Sequence, residues 1–341
     1  MVYISVIIAA HKRKNFIKLA LKSVLNQTLE KTKYEIIIVK DFYSEIDSDL
    51  KRLKVKTLFI NGEKLGPKLA AGVKEAKGEI ICFLDDDDLF TSNKLQHVYN
   101  IFKGDNRLGY YKNNFVVIDE KGTLYKDAKV EIKNREAIDK IKKMYVERVE
   151  EVKDLNKMRN IGFENLPSCI SVRKRILSKN IKYLEHLDLE QDWFSFYAAL
   201  ASKVAFFYDN AKLTKYRVHS LNTSKLSTVD DRVRFNRRCI NTLKTIYMML
   251  KNSKNIDEFI ISNEKFDMSL ASLSLAILEK RSKYNVLKMI EDIEQDVSLP
   301  DILNIKNRII IGLKLALEKL FINFSYEMFR KFYINLLKIS S

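Results

Sequence analysis

Cysteine, proline and tryptophan are scarce in this chain: three, three and one among 341 residues. Cys82, Cys169 and Cys239 stand far apart in apolar surroundings. That spacing excludes a thiolate metal knuckle and a disulfide framework, so the three are expected to be reduced core residues of a cytoplasmic protein. No stretch reaches ~18 uncharged apolar residues, the length a membrane-spanning helix needs. No basic-then-apolar leader precedes the strand-like Met1-Val2-Tyr3-Ile4-Ser5, so no secretory signal is expected. Turn formers thin out along the chain: after Phe163 the one glycine is Gly312, and after Ser168 the one proline is Pro300. Acidic residues number 44 against 61 basic ones, leaving a net charge of +17. That balance suits an anionic partner, or simply a lysine-rich surface. The rest is ordinary for a soluble chain with a sizeable core: 46% apolar and 31% charged residues.

Short β-branched runs alternate with helical periods over the first hundred residues. Tyr3 to Ala10 reads as a buried strand, and Asn15 as the cap of a helix burying Phe16, Leu19, Ala20, Val24 and Leu25. Tyr34 to Val39 and Val55 to Ile60 read as further strands, with a helix over Pro67 to Ala76. Strands alternating with helices imply an α/β fold with a doubly wound, mostly parallel sheet. Further on, Asn114 to Ile118, Pro167 to Val172, Val204 to Tyr208 and Leu213 to Val218 have strand character, and Leu189 to Ser202 is helical. Glu131 to Arg159 is densely charged with a helical period, as an exposed insertion would be. Three long helical patterns follow, over about 230–252, 256–296 and 301–338.

One stretch carries the chemistry. Gly78 leads the apolar run Ile80 to Leu84 straight into Asp85-Asp86-Asp87-Asp88. Four adjacent carboxylates repel one another, and a divalent cation beside a phosphate removes that repulsion, because hard cations take oxygen ligands. A solvated acidic turn is the plain alternative. His11 and Asp41 stand at the ends of the first two strands, and ligands of such sheets sit beyond the carboxyl ends of the strands.

In order along the chain, these segments resemble family 2 glycosyltransferases, inverting nucleotide-sugar enzymes of the GT-A fold. Ser5 to His11 is similar to the family's first strand, and Ser23-Val24-Leu25-Asn26-Gln27-Thr28 to the end of its first helix. Glu35 to Asp41 resembles the second strand, Gly72 to Asp88 the approach to the Asp-x-Asp segment, Gln191-Asp192-Trp193 the acceptor-side acidic motif, and Tyr216 to Ser224 a stretch common after it. The resemblance covers roughly residues 3–225. It implies a catalytic domain over 1–228, with a donor half of about 1–110, an acceptor half of about 111–228 and the charged insertion at about 131–159. An all-helical region over 229–341 has no counterpart in the resemblance.

The resemblance also implies roles. Asp87 is expected to bind Mg²⁺ or Mn²⁺, with His219 as a further metal or diphosphate contact. Asp85 is expected on the ribose, with Asp86 and Asp88 behind the metal ligand or solvated. Asp41 would accept a hydrogen bond from the base, His11 stack on it, Ala9 line the nucleotide and Lys68 meet the diphosphate. Asp192 is the expected general base, its plainer role being a helix cap. Three departures stand out: Lys40 replaces the first of two acids and adds positive charge near the nucleotide, Leu69-Ala70 replaces an Arg-Asn pair, and Ser92 replaces a proline.

The expected donor is a UDP- or GDP-sugar, and the expected acceptor a saccharide or lipid-linked glycan. A nucleotidyltransferase is the rival enzyme, but Ala9-Ala10-His11-Lys12-Arg13 lacks its Gly-rich phosphate loop. A non-catalytic anion- or sugar-binding protein leaves the aspartates unexplained, and they would repel nucleic acid, so no nucleic-acid partner is expected. The last helical pattern carries an apolar stripe, Leu313, Leu317, Leu320, Phe324, Met328, Phe332 and Leu336, among Lys314, Lys319, Arg330, Lys331 and Lys338. Such a stripe suits packing on the preceding helices or on a second subunit, or a peripheral contact at the cytoplasmic membrane face.

Overall fold

The computed structural model describes residues 1–12, 14–125, 141–220, 222, 226, 228–254, 256–297, 315, 318–319, 322–323 and 325–339. The chain divides into two units, Met1–Val149 with Lys157–His219, and Glu150–Asn156 with Ser220–Ser341.

The first unit alternates as the apolar periods predict: β1 (Ile4–Ala10), α1 (Ile17–Leu25), β2 (Tyr34–Lys40), α2 (Ile46–Arg52), β3 (Lys56–Phe59), α3 (Leu65–Glu75) and β4 (Ile80–Asp85). There follow β5 (Leu89–Phe90), α4 (Lys94–Gly104), β6 (Leu108–Ile118), β7 (Lys143–Val146), α5 (Val152–Asn160, of which only 157–160 belong to this unit), β8 (Ile170–Arg173), α6 (Lys174–Lys179), α7 (Ile181–Leu184), α8 (Gln191–Ala201) and β9 (Ala205–Arg217). These strands make one mixed sheet in the order β3-β2-β1-β4-β8-β6-β9-β5, with β7 paired to β9. The run β3-β2-β1-β4 is parallel, and β8 joins β4 antiparallel. Register sets the site: Ala9 lies opposite both Val39 and Asp85, so β1 aligns the ends of β2 and β4.

Alternate residues of the parallel strands face opposite layers. Val6, Ile8, Ile36, Ile38, Cys82 and Leu84 share a core with Ala20 and Val24 of α1 and with Val98 and Phe102 of α4. On the other face α3 comes so close that a Cβ at Gly72 would fall 2.8 Å from Ile7 Cγ2. Gly78 is needed for a similar reason, since a Cβ there would meet Ser5 N at 2.6 Å.

Several elements differ from the sequence reading. Asn15 caps nothing: Phe16 is the N-cap residue of α1, without a side-chain hydrogen bond. Leu19 is 43% exposed, because Ile17, Ala20, Leu21 and Val24 make the buried face. The two short strands expected over 204–218 are one strand, β9, kept continuous by register shifts in its ladder with β6. Of the expected insertion, 126–140 lies outside the described residues. Lys143–Val146 is a strand, because its backbone completes the β9 ladder, and α5 buries Leu155 and Met158.

The second unit contains α9 (Val229–Lys251), α10 (Glu258–Leu278), α11 (Lys283–Val297) and α12 (Tyr326–Ile339). A reciprocal pair of bonds between Thr228 and Asp231 starts α9. The helix expected over 256–296 is two helices, broken where Lys280 takes a φ of 59°. Phe266, Ile277, Val286, Ile290, Leu315, Ile322 and Phe329 form this unit's core. The expected terminal stripe is corrected accordingly. Phe329 faces the core, so Met328 and Phe332 are left 55% and 52% exposed. Leu313, Leu317, Leu320 and Phe324 lie outside the described residues. Among the described residues no helix is long and apolar enough to cross a membrane.

Candidate active site

The carboxyl ends of β1 and β2 bring His11, Asp41 and Lys68 together. Asp41 accepts from His11 Nδ1, from Lys12 N at 3.2 Å, and pairs with Lys68 Nζ at 3.2 Å. Burial pulls the Asp41 carboxyl up, but His11, the Lys12 N–H and Lys68 outweigh it and hold it below the usual carboxylate range. Lys68 is 1% exposed and also donates to Gly62 O, so its ammonium serves the Asp41 end. Lys40 does not add free charge there: its ammonium is buried and paired with Asp47 of α2.

At the end of β4 the acidic stretch turns inward. Asp86 and Asp88 are each 1% exposed, so neither is solvated. Polar neighbours hold the turn at Asp85, Asp87 and Asp88. Arg217, buried at the end of β9, donates from Nε to Asp87 O at 2.8 Å and from its backbone N to Asp88 Oδ1 at 2.9 Å. Its Nη1 reaches Asp119 O and Glu120 O at 3.0 and 2.8 Å, and its guanidinium lies over the Phe16 ring. Ser168 Oγ accepts from Asp85 N at 3.0 Å. Lys94 donates to Ser168 O and to Thr214 Oγ1, and burial brings its ammonium down to about 8. Burial first, then the charge of Asp87, pushes Asp88 up to about 7.

Oxygens of Asp85, Asp87 and Asp88 lie within 4.8 Å of one another. An all-oxygen set of this kind fits Mg²⁺ or Mn²⁺. His219 is buried with Nε2 3.0 Å from Asp87 Oδ2, and its ring lies 4.7 Å from that of Phe16. Asp88 is thus brought into the candidate ligand set, and His219 meets it through Asp87.

The third cluster surrounds Asp192, in the first turn of α8. Glu190 is the N-cap residue and makes no side-chain cap bond, so Asp192 is not the cap. Its carboxylate accepts from Trp193 N at 3.1 Å, and the Leu166 N–H dipole acts on it electrostatically. Leu166, in the turn before β8, takes a φ of 62°. Burial pushes Asp192 up to about 6, opposed by the charge of Lys112 and by these N–H groups. Gln191, one residue earlier, donates from Nε2 to Asp85 Oδ1 at 3.2 Å, which ties this cluster to the acidic turn. Sequence reasoning missed Phe16, Lys94, Ser168 and Arg217. Arg217 stands within the recognised Tyr216 to Ser224 stretch, and that was the available signal.

The family model described as Glycosyl transferase family 2 matches residues 5–180. An uncharacterized glycosyltransferase of Rickettsia prowazekii is 26% identical over 227 residues, 65% of each chain. One of Rickettsia bellii is 36% identical over 124 residues, 35% of this chain and 18% of the relative. The poly(ribitol-phosphate) beta-N-acetylglucosaminyltransferase TarP of Staphylococcus aureus is 32% identical over 110 residues, 30% of this chain and 34% of TarP. The matched stretches therefore span less than two thirds of these relatives' lengths. Among solved structures, residues 1–349 of S. aureus TarS align with a TM-score of 0.60 at 15% identity, covering 98% of this chain and 91% of that one. The same protein has been solved with UDP-GlcNAc, aligning at a TM-score of 0.54 and 16% identity over 86% of this chain and 81% of that one. At such identity the likeness speaks for the fold, which is the α/β GT-A type. With the family match over half its length and the acidic strand end in register with β1, the chain belongs to glycosyltransferase family 2.

Proposed function

We propose that this chain is an inverting glycosyltransferase that moves a sugar from a UDP-sugar to an acceptor hydroxyl, within a catalytic domain of residues 1–228 followed by a helical domain of 229–341. The observation that carries the reading is the Gln191–Asp85 bond, which joins a poised carboxylate to a cation-type oxygen cluster. UDP is favoured over GDP because TarS has been solved with UDP and with UDP-GlcNAc.

Asp192 takes the proton of the acceptor hydroxyl as that oxygen attacks the anomeric carbon, and the bond from that carbon to the diphosphate oxygen breaks on the opposite side. A group that titrates near 6 is ionised at neutral pH yet basic enough for this task. Asp85, Asp87 and Asp88 would hold the divalent cation, with His219 supporting Asp87. When bound, that cation supplies charge neutralisation to the leaving diphosphate. Ala9, His11, Asp41, Lys68, Asp85 and Asp86 bind the nucleotide-sugar, and Lys68 also pairs with Asp41.

The acceptor favoured by the +17 charge, and by relatives named for poly(ribitol-phosphate), is a polyanionic polyol-phosphate chain. A peripheral contact with anionic membrane is proposed for α12, where exposed Met328 and Phe332 flank Lys331. Co-sedimentation with anionic vesicles at low salt tests that contact.

The deciding experiment incubates the protein with UDP-GlcNAc, Mn²⁺ and poly(ribitol phosphate), with and without EDTA, and identifies the products. Free UDP with sugar on the polymer is expected. Formation of UTP and GlcNAc-1-phosphate on addition of pyrophosphate would make the protein a nucleotidyltransferase, and no product in either mixture a binding protein.

A further inference from the structure

Most of the Asp41 carboxylate is already taken by its own chain. Ala10 and Lys40 are partners at the ends of β1 and β2, so His11 and Asp41 follow side by side. An ionised carboxylate has about four acceptor positions, shared between its two oxygens. Oδ2 meets His11 Nδ1, which must carry the hydrogen because an ionised carboxylate only accepts, and Lys68 Nζ at 3.2 Å. Oδ1 accepts from Lys12 N at 3.2 Å. Among the described residues these partners fill Oδ2 and leave one position, on Oδ1. The arrangement is held from behind. Lys68 is 1% exposed and also donates to Gly62 O, and Lys12 Nζ donates to Oε1 of the next residue, Glu63, at 2.9 Å. The Asp41 side chain is itself 7% exposed, so a ligand meets what these partners leave.

We propose that His11 and Lys68 choose the nucleotide base: by closing Oδ2 they leave Asp41 a single acceptor, which matches the lone N3–H of uracil and not the paired N1–H and N2–H of guanine. The inference rests on reading this end of the sheet as a nucleotide-sugar site, and it adds the residues that select the base.

The two base edges differ in their donors. Uracil presents one imide N–H between two carbonyl oxygens, so one acceptor satisfies it. Guanine presents two N–H donors side by side, a pair that fits both oxygens of one carboxylate. With Oδ2 closed, one guanine donor gives up its water and gains no partner on Asp41, and a buried unpaired donor weakens binding. His11 and Lys68 act here through Asp41, as positioning residues.

The test measures the dissociation constants of UDP and GDP in Mn²⁺ by calorimetry. Both carry the same ribose and diphosphate, so their ratio reads the base alone. The wild type is expected to hold UDP at least ~10-fold more tightly than GDP, the cost of one unpaired donor. His11→Phe keeps an aromatic ring without the donor, and Lys68→Met keeps an unbranched chain without the ammonium. Each reopens a position on Oδ2, so each is expected to shrink the ratio by about tenfold. A merely structural role would weaken both nucleotides alike and leave the ratio where it was. A wild-type ratio near one, or an unchanged ratio in the folded variants, overturns the proposal. If one variant does not fold the other decides, and if neither folds the wild-type ratio does. Failure of the nucleotide-sugar reading is seen separately, as neither nucleotide binding.

Discussion

Gln191 Nε2 donates to Asp85 Oδ1 across 3.2 Å, so the residue before the proposed base holds the first carboxylate of the acidic turn. The bond runs from the start of α8 to the end of β4, elements more than a hundred residues apart. Gln191→Leu keeps the size and removes the donor. It is expected to raise the KM for UDP-GlcNAc by about tenfold, the worth of one hydrogen bond to a charged group, with a smaller effect on kcat. A fall in kcat at unchanged KM would tie Gln191 to the chemical step instead.

Asp87→Ala is expected to lower metal-dependent UDP release by at least ~10²-fold, as EDTA should in the wild type. His219→Ala should cost less, since His219 touches Asp87 from behind. Should Asp88→Ala abolish release while Asp87→Ala spares it, the ligand register sits one residue later.

For Asp192→Asn the expected outcome is at least a ~10²-fold loss of transfer with donor binding retained, as for the loss of a general base. In the wild type, kcat should rise with pH through about 6, because the carboxyl must lose its proton to work. A flat profile from pH 5 to 8 would argue against the assignment.

Asp192 and Glu164 also make stability depend on pH. Both are raised in the folded chain, to about 6 and about 7. A raised carboxyl binds its proton more tightly folded than unfolded, so its contribution is full below pH ~4 and lost as pH climbs through the folded value. Loss on the order of 2–3 kcal/mol is expected for Asp192 between pH 4 and 7. Melting of Asp192→Asn against the wild type isolates it. An equal slope of Tm with pH in both would remove Asp192 as a source.

The parallel strands and the acidic turn were legible because each signal is local: Ile80 to Leu84 is a buried strand whatever surrounds it. The expected nucleotide contacts His11 and Asp41 also meet as strand-end residues should. What stayed hidden depends on distant partners. Asp88 looks solvated until Arg217, about 130 residues later, binds its carboxylate and the Asp87 carbonyl. Lys68 and Lys94 look like surface lysines, yet each is buried on oxygens supplied by another segment. In the last helix Met328 and Phe332 carry the same period as Phe329, and packing alone decides which faces the core.

Leu166 sits in a backbone region where a β-carbon costs about 1–2 kcal/mol. Glycine would relieve that strain at once, so Leu166→Gly is open to any selection for a firmer fold. The same change would loosen the backbone whose N–H dipole opposes the rise of Asp192. Evolution toward heat resistance and evolution toward turnover therefore pull this one position in opposite directions, and a library screened only for melting temperature would be expected to enrich variants that transfer poorly.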